Sequence, residues 1–163
     1  MEEIDRIDRI QGEWRRERPD IDVEPQAIIG RLHRLATFLT AELTVVYERH
    51  GVGEGEFDVL AALRRAGTPF ERAPGELAQH TMVTTGAMTK RLDRLVEAGL
   101  VVRRSVDGDG RRRTAALTPR GLEVIDAAFA DHMINERRLV EAIPGEDRHA
   151  LQSILKAWLQ RFE

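Results

Sequence analysis

Thr84, Thr85, Gly86, Thr89, Lys90, Asp93 and Arg94 lie close together in one stretch of the chain, and Arg111 and Arg112 follow after a turn sequence. Hydroxyls, a glycine and permanent cations in that order suit recognition better than bond-making. The backbone N–H groups of a helix start can meet phosphate, and Thr, Lys and Arg can reach base edges. Catalytic alternatives find little support. The five histidines His33, His50, His80, His132 and His149 lack metal-ligand spacing, and neither a phosphate-cradling glycine loop nor a nucleophile motif is present. We therefore expect no catalytic residue, no metal and no cofactor.

Such residues must be positioned, and residues 74–120 contain the pattern that does it. Glu76, Leu77, Ala78 and His80 fit a short helix. Thr84 and Thr85 offer N-cap hydroxyls for a second helix over 87–98, and Gly99 suits its C′ position. At 100° per residue, Met88, Leu92, Leu95 and Val96 form one stripe that must face a core, while Gly86, Thr89, Lys90, Asp93 and Glu97 fall opposite. Leu100–Val102 and Thr114–Leu117 then read as short strands joined by the turn sequence Asp107-Gly108-Asp109-Gly110, with three arginines directly after it. An arginine at such a tip can enter a minor groove or grip phosphates. The fold class expected is mainly α with a small β-hairpin wing: a winged helix-turn-helix flanked by long dimerisation helices.

The run TTGAMTKRLDRLVEAGLVVR, followed by DGDGR and ALTPRG, resembles the MarR family of bacterial transcriptional regulators in helix, wing and exit turn. Gly110 stands where many members have an arginine, which leaves Arg111 as the wing-tip contact. The resemblance implies binding of double-stranded DNA at a palindromic operator by a homodimer. It also implies repression relieved by a small molecule.

The totals agree. The chain has 163 residues, a formal net charge of −3 and no cysteine, so a thiol-based redox sensor and a cysteine-ligated metal site are excluded. The acidic balance does not oppose DNA binding, because nine basic residues stand against four acidic ones from Lys90 to Arg120 and the local field is what DNA meets. The N-terminus lacks the apolar segment of a signal peptide and no long apolar run occurs, so a cytoplasmic protein without membrane partners is expected.

In chain order, Ile4, Ile7, Ile10 and Trp14 predict an amphipathic helix over residues 2–18 that Pro19 ends. Apolar residues at three and four predict a long helix over 26–50, Gly51–Gly55 a break, and EFDVLAALRRA a compact helix over 56–66. Thr118-Pro119 predicts an N-cap with proline at N1 for a helix running towards Ile143, and Leu151, Ile154, Leu155, Trp158, Leu159 and Phe162 give a last amphipathic helix. The organisation expected is an extra N-terminal helix and linker over 1–24, helical dimerisation regions over 25–50 and 119–163, and the DNA-binding region over 51–118. A twofold dimer would separate the recognition helices by about 34 Å.

Asp58 sits among Phe57, Val59, Leu60, Ala61, Ala62 and Leu63, so its carboxylate needs a partner. Arg91, at the core edge of the second helix, and Arg103, on the strand after it, both qualify. Either an ordinary ion pair or an anion pocket results, and Trp14 could close a pocket by stacking on a planar ligand. The N-terminal helix with tryptophan, RPDID, GRLHRL and EFDVLAALRRAG are similar to the urate-responsive branch of the MarR family. That similarity implies ligand roles for Trp14, Asp58, Arg91 and Arg103, with urate or a related planar anion as effector. Two alternatives stand beside it: a regulator sensing phenolic or other hydrophobic compounds, and a winged-helix protein-interaction module without DNA binding.

Overall fold

The computed structural model describes residues 4–106 and 109–163, with the backbone alone for Val106 and residues 109–112. The chain forms two compact units, 1–42 and 43–163.

In the first unit, α1 spans Arg6–Glu17. Its start lies later than the apolar spacing suggested, because Asp5 caps it: the carboxylate accepts from the Ile7 and Asp8 amides, and Asp8 reaches back to the Asp5 amide. Helix α2, Gln26–Arg49, begins in this unit. Arg31 clasps Asp5 and Asp8, each at 2.7 Å. Its guanidinium is the largest cause holding the Asp5 carboxyl down at about 2. Gln11 is buried and donates to the Val23 carbonyl at 2.7 Å, which pins the linker back against α1.

In the second unit, the end of α2 is followed by α3 (Glu54–Arg65), β1 (Glu71–Arg72), α4 (Pro74–His80), α5 (Thr85–Glu97), β2 (Val101–Val106), β3 (Asp109–Leu117), α6 (Pro119–Val140) and α7 (Gly145–Leu159). Helix α3 starts two residues before the 56–66 expected. Glu56, at its third position, accepts from the Gly53 amide at 3.1 Å and caps the helix from inside the glycine-rich break. The sheet is antiparallel with order β1-β3-β2, so the expected hairpin gains a third strand. Glu71 pairs with Ala116 and Arg72 with Ala115. Two residues are too few to show alternation in the sequence. Both hairpin strands run further towards the tip than expected, and Asp107 and Gly108 of the turn lie outside the described residues.

The core joins α3, α4, α5, the sheet and α6 through Val59, Leu60, Leu63, Leu77, Met88, Leu92, Leu95, Val101, Ala115 and Ile125. Met88, Leu92 and Leu95 of the expected stripe are buried, whereas Val96 at its edge remains 38% exposed. Helix α6 begins as Thr118-Pro119 predicted, with the Thr118 hydroxyl accepting from the Gly121 amide at 2.9 Å, but it ends at Val140 instead of Ile143. Gly121 is buried with its Cα under the Leu100 carbonyl, where an added Cβ would collide with backbone. Gly121→Ala is accordingly expected to destabilise the fold by about 2 kcal/mol, read as a fall in the denaturation midpoint. Among the described residues no helix is long and apolar enough to cross a membrane.

Candidate nucleic-acid interface and effector site

Helix α5 is built to present its first turn. The Thr84 hydroxyl accepts from the Ala87 amide at 3.3 Å and closes the helix start, and Leu77, Ala78, Met88 and Leu92 anchor α4 and α5 from beneath. Before it, Met82 turns the chain with φ +52° and stands 94% exposed. Thr84, Thr85, Gly86, Thr89, Lys90, Asp93 and Arg94 are all exposed, as the periodicity required of Gly86, Thr89, Lys90 and Asp93. Gly86 has no left-handed backbone, and a Cβ added there meets nothing within 4 Å. Nothing inside the protein asks for glycine at this position.

Two residues of this face have internal partners. Asp93 accepts from Arg103 of β2 at 2.6 Å, and Arg94 stands 2.6 Å from Glu56, which is mostly buried at the start of α3. Arg94 thus links α5 to α3, and Asp93 links it to the wing. The side chains of Arg111 and Arg112 lie outside the described residues.

The Asp58 carboxylate lies on α3 and is 46% exposed, and Arg91 of α5, only 21% exposed, approaches it to 3.8 Å. Of the two arginines that the sequence offered Asp58, Arg91 is the one that pairs with it. The contact is loose. Arg91 Nη1 is buried without a hydrogen-bond partner, so the guanidinium keeps an unused donor. Burial pushes the Asp58 carboxyl above the ordinary carboxylate range. Arg91, Arg65 and His132 oppose that shift, and Glu54 adds to it.

Around this pair lies a cluster that sequence reading missed. Tyr47 stacks on Phe57 with ring centroids 4.1 Å apart, its hydroxyl lies 3.2 Å from His132 Nδ1, and His132 Nε2 lies 3.1 Å from Glu136. Burial, with the charges of Asp58, Glu54 and Glu136, pushes the Tyr47 hydroxyl up to about 12, so it stays protonated. The spacing of His132 and Glu136 at four residues was the one available signal. His50 pairs separately with Asp131 at 2.8 Å. Trp14, in the first unit, is half exposed and lines a cavity of about 310 Å³ with Ile21, Asp22, Val23, Pro25 and Gln26. Among the described residues no group of three His, Cys, Asp or Glu side chains could hold a metal ion.

Residues 50–112 match the model of the MarR family. The HTH-type transcriptional regulator PecS of Dickeya dadantii is 35% identical over 149 residues, covering 91% of this chain and 90% of that protein. A mutant of MarR from E. coli, solved in complex with operator DNA, is 26% identical with a TM-score of 0.72, covering 85% of this chain and 99% of that one. The MarR family protein Rv2887 of Mycobacterium tuberculosis, solved in complex with salicylic acid, is 27% identical with a TM-score of 0.63, covering 80% of this chain and 95% of that one. These relatives are transcription regulators and not enzymes. A recognition helix with an open first turn, a three-stranded wing and the match to PecS along nine-tenths of both chains carry one conclusion: the chain belongs to the MarR family of DNA-binding transcriptional regulators.

Proposed function

We propose that this protein is a ligand-responsive repressor that binds a palindromic operator as a homodimer and is released by a small planar anion, with urate the first choice. The observation that carries the reading is the Asp58–Arg91 pair. A half-exposed carboxylate and a guanidinium with an unused donor, only loosely joined across 3.8 Å, make a pair for which an anion could compete at the point where α5 meets α3. Without effector, Arg91 faces Asp58 and holds α5 in a DNA-competent pose. A planar anion takes the guanidinium and biases a pose that fits DNA less well. Linkage is reciprocal, so DNA weakens effector binding by the same factor.

Thr84, Thr85, Gly86, Thr89 and Lys90 meet the major groove in this reading, and Arg111 and Arg112 the minor groove or its phosphates. Asp93 and Arg94 fix the presentation of α5 through Arg103 and Glu56. The likeness to the urate-responsive branch assigns effector roles to Arg103 and Trp14 as well. Homodimerisation is supported by α7, which buries none of its residues and leaves Ile154 and Leu159 exposed, with Phe162 bare just beyond it.

A second reading has a specific observation behind it. Arg103 is engaged with Asp93, and Rv2887 was solved with a phenolic acid. A sensor of phenolic compounds would use Asp58, Arg91 and Arg103 only as structural ion pairs. Titrating urate, xanthine and salicylate in parallel into the protein on its own upstream DNA, at fixed salt, separates the two. Release by urate that is lost in Trp14→Ala and Arg103→Ala supports the urate reading. Release by salicylate alone, unchanged in Arg103→Ala, overturns it. Binding without steep salt dependence would instead point to a protein-interaction module.

A further inference from the structure

Helix α5 is tied to the first five residues of α3 at two points, Arg94 against Glu56 and Arg91 against Asp58, and a glycine between Glu54 and Glu56 decides how the second one sits. Gly55 is the second residue of α3 and has no left-handed backbone that would call for glycine. Glycine is a poor helix former, so its use there asks for a reason.

The reason lies across the helix interface. A Cβ on Gly55 would stand 2.6 Å from Arg91 Nε, 2.7 Å from Cζ and 3.0 Å from Nη2. All three atoms belong to the guanidinium, the flexible end of a long side chain. An added methyl would therefore displace the guanidinium and leave the backbone alone. The guanidinium lies against the bare Cα of Gly55, and from that seat its remaining nitrogen, Nη1, is turned to Asp58 at 3.8 Å with no hydrogen bond of its own.

We propose that Gly55 is the positioning residue for Arg91: the absence of a side chain on α3 sets where the guanidinium rests, and through it how strongly effector occupancy is coupled to the pose of the recognition helix. This inference rests on the effector reading of Arg91 given above. Its structural half, the dependence of Arg91 on Gly55, can be measured separately.

The test compares the full-length protein, Gly55→Ala, Arg91→Ala and the double variant in thermal unfolding, in affinity for its upstream DNA, and in affinity for the same DNA with urate present. Gly55→Ala is expected to fold with undiminished helix content while its DNA affinity falls. The ratio of affinities without and with urate is expected to shrink by about 3- to 30-fold. In the Arg91→Ala background there is no guanidinium to displace. There Gly55→Ala should leave DNA affinity unchanged and raise the thermal midpoint, because alanine favours the helix. Equal effects of Gly55→Ala in both backgrounds would overturn the proposal, as would an unaltered DNA affinity and urate ratio in Gly55→Ala alone. If urate does not release the wild-type protein, the effector reading fails. The Gly55–Arg91 dependence is then decided by whether the two substitutions are additive in DNA affinity and thermal midpoint: additivity overturns it, non-additivity supports it.

Discussion

Gly86→Leu is expected to reduce operator binding to the level of non-specific DNA, a loss of about 1000-fold or more, while the thermal midpoint stays the same or rises. The two halves of this expectation come from one position. Gly86 is the second residue of α5, it is exposed, and the space where a side chain would stand is open. Leucine is better than glycine in a helix by about 0.5–1 kcal/mol, so the fold has nothing to lose. What glycine provides is proximity. With hydroxyls on either side at Thr85 and Thr89, the bare backbone lets the helix N-terminus close on phosphate and base edges, and a leucine would hold the two surfaces apart. Fluorescence anisotropy with the upstream DNA, alongside thermal melts followed by circular dichroism, checks both halves. Wild-type affinity in the leucine variant would mean that α5 does not enter the groove by its first turn.

Most of the fold was legible because its signals are local and redundant. The stripe Met88, Leu92 and Leu95 announced a helix with one buried face, Thr84 and Gly99 bracketed it, and Thr118-Pro119 marked the start of α6; each of these devices is present in the structure. Three features were hidden for physical reasons. Strand β1 takes its two residues from the exit of a loop, and only the ladder to Ala115 and Ala116 makes it a strand. The start of α3 at Glu54 depends on Glu56 turning back to the Gly53 amide, a choice that glycine-rich sequence conceals. Val96 belongs to the stripe by angle, but it lies at the stripe's edge and stays 38% exposed.

The site was less legible than the fold because pairing across elements is a matter of geometry. Sequence reading offered Asp58 two arginines, and the structure gives it Arg91 while tying Arg103 to Asp93. Arg94 was expected among the DNA-facing residues, yet its length carries it back to Glu56. Gly55 carried no signal at all, since a glycine two residues after another glycine reads as part of a loop. Only the approach of the Arg91 guanidinium gives it meaning.

Asp58→Asn is expected to remove effector-driven release while leaving the fold at least as stable at neutral pH. The sign follows from the direction of the carboxyl's shift. Burial raises the folded-state value above that of the unfolded chain, and the attraction of Arg91, Arg65 and His132 does not cancel it. The folded protein therefore binds this proton more tightly than the unfolded chain does. Stability from this group is present in full below the unfolded value and is lost as pH rises through the folded one. At neutral pH the ionised carboxylate is a cost that asparagine does not carry. Melting temperatures of wild type and variant should thus converge on acidification towards the ordinary carboxylate range, with the variant equal or higher at neutrality. Function should move the other way. Without a carboxylate opposite it, Arg91 loses its hold in the effector-free state, basal DNA affinity drops, and an anion that captures the guanidinium has no pair left to break. Effector-dependent release that persists unchanged in Asp58→Asn would reduce the pair to packing between α3 and α5 and place the switch elsewhere. Lost release with a maintained melting temperature would locate it at Asp58, a carboxylate whose charge burial disfavours.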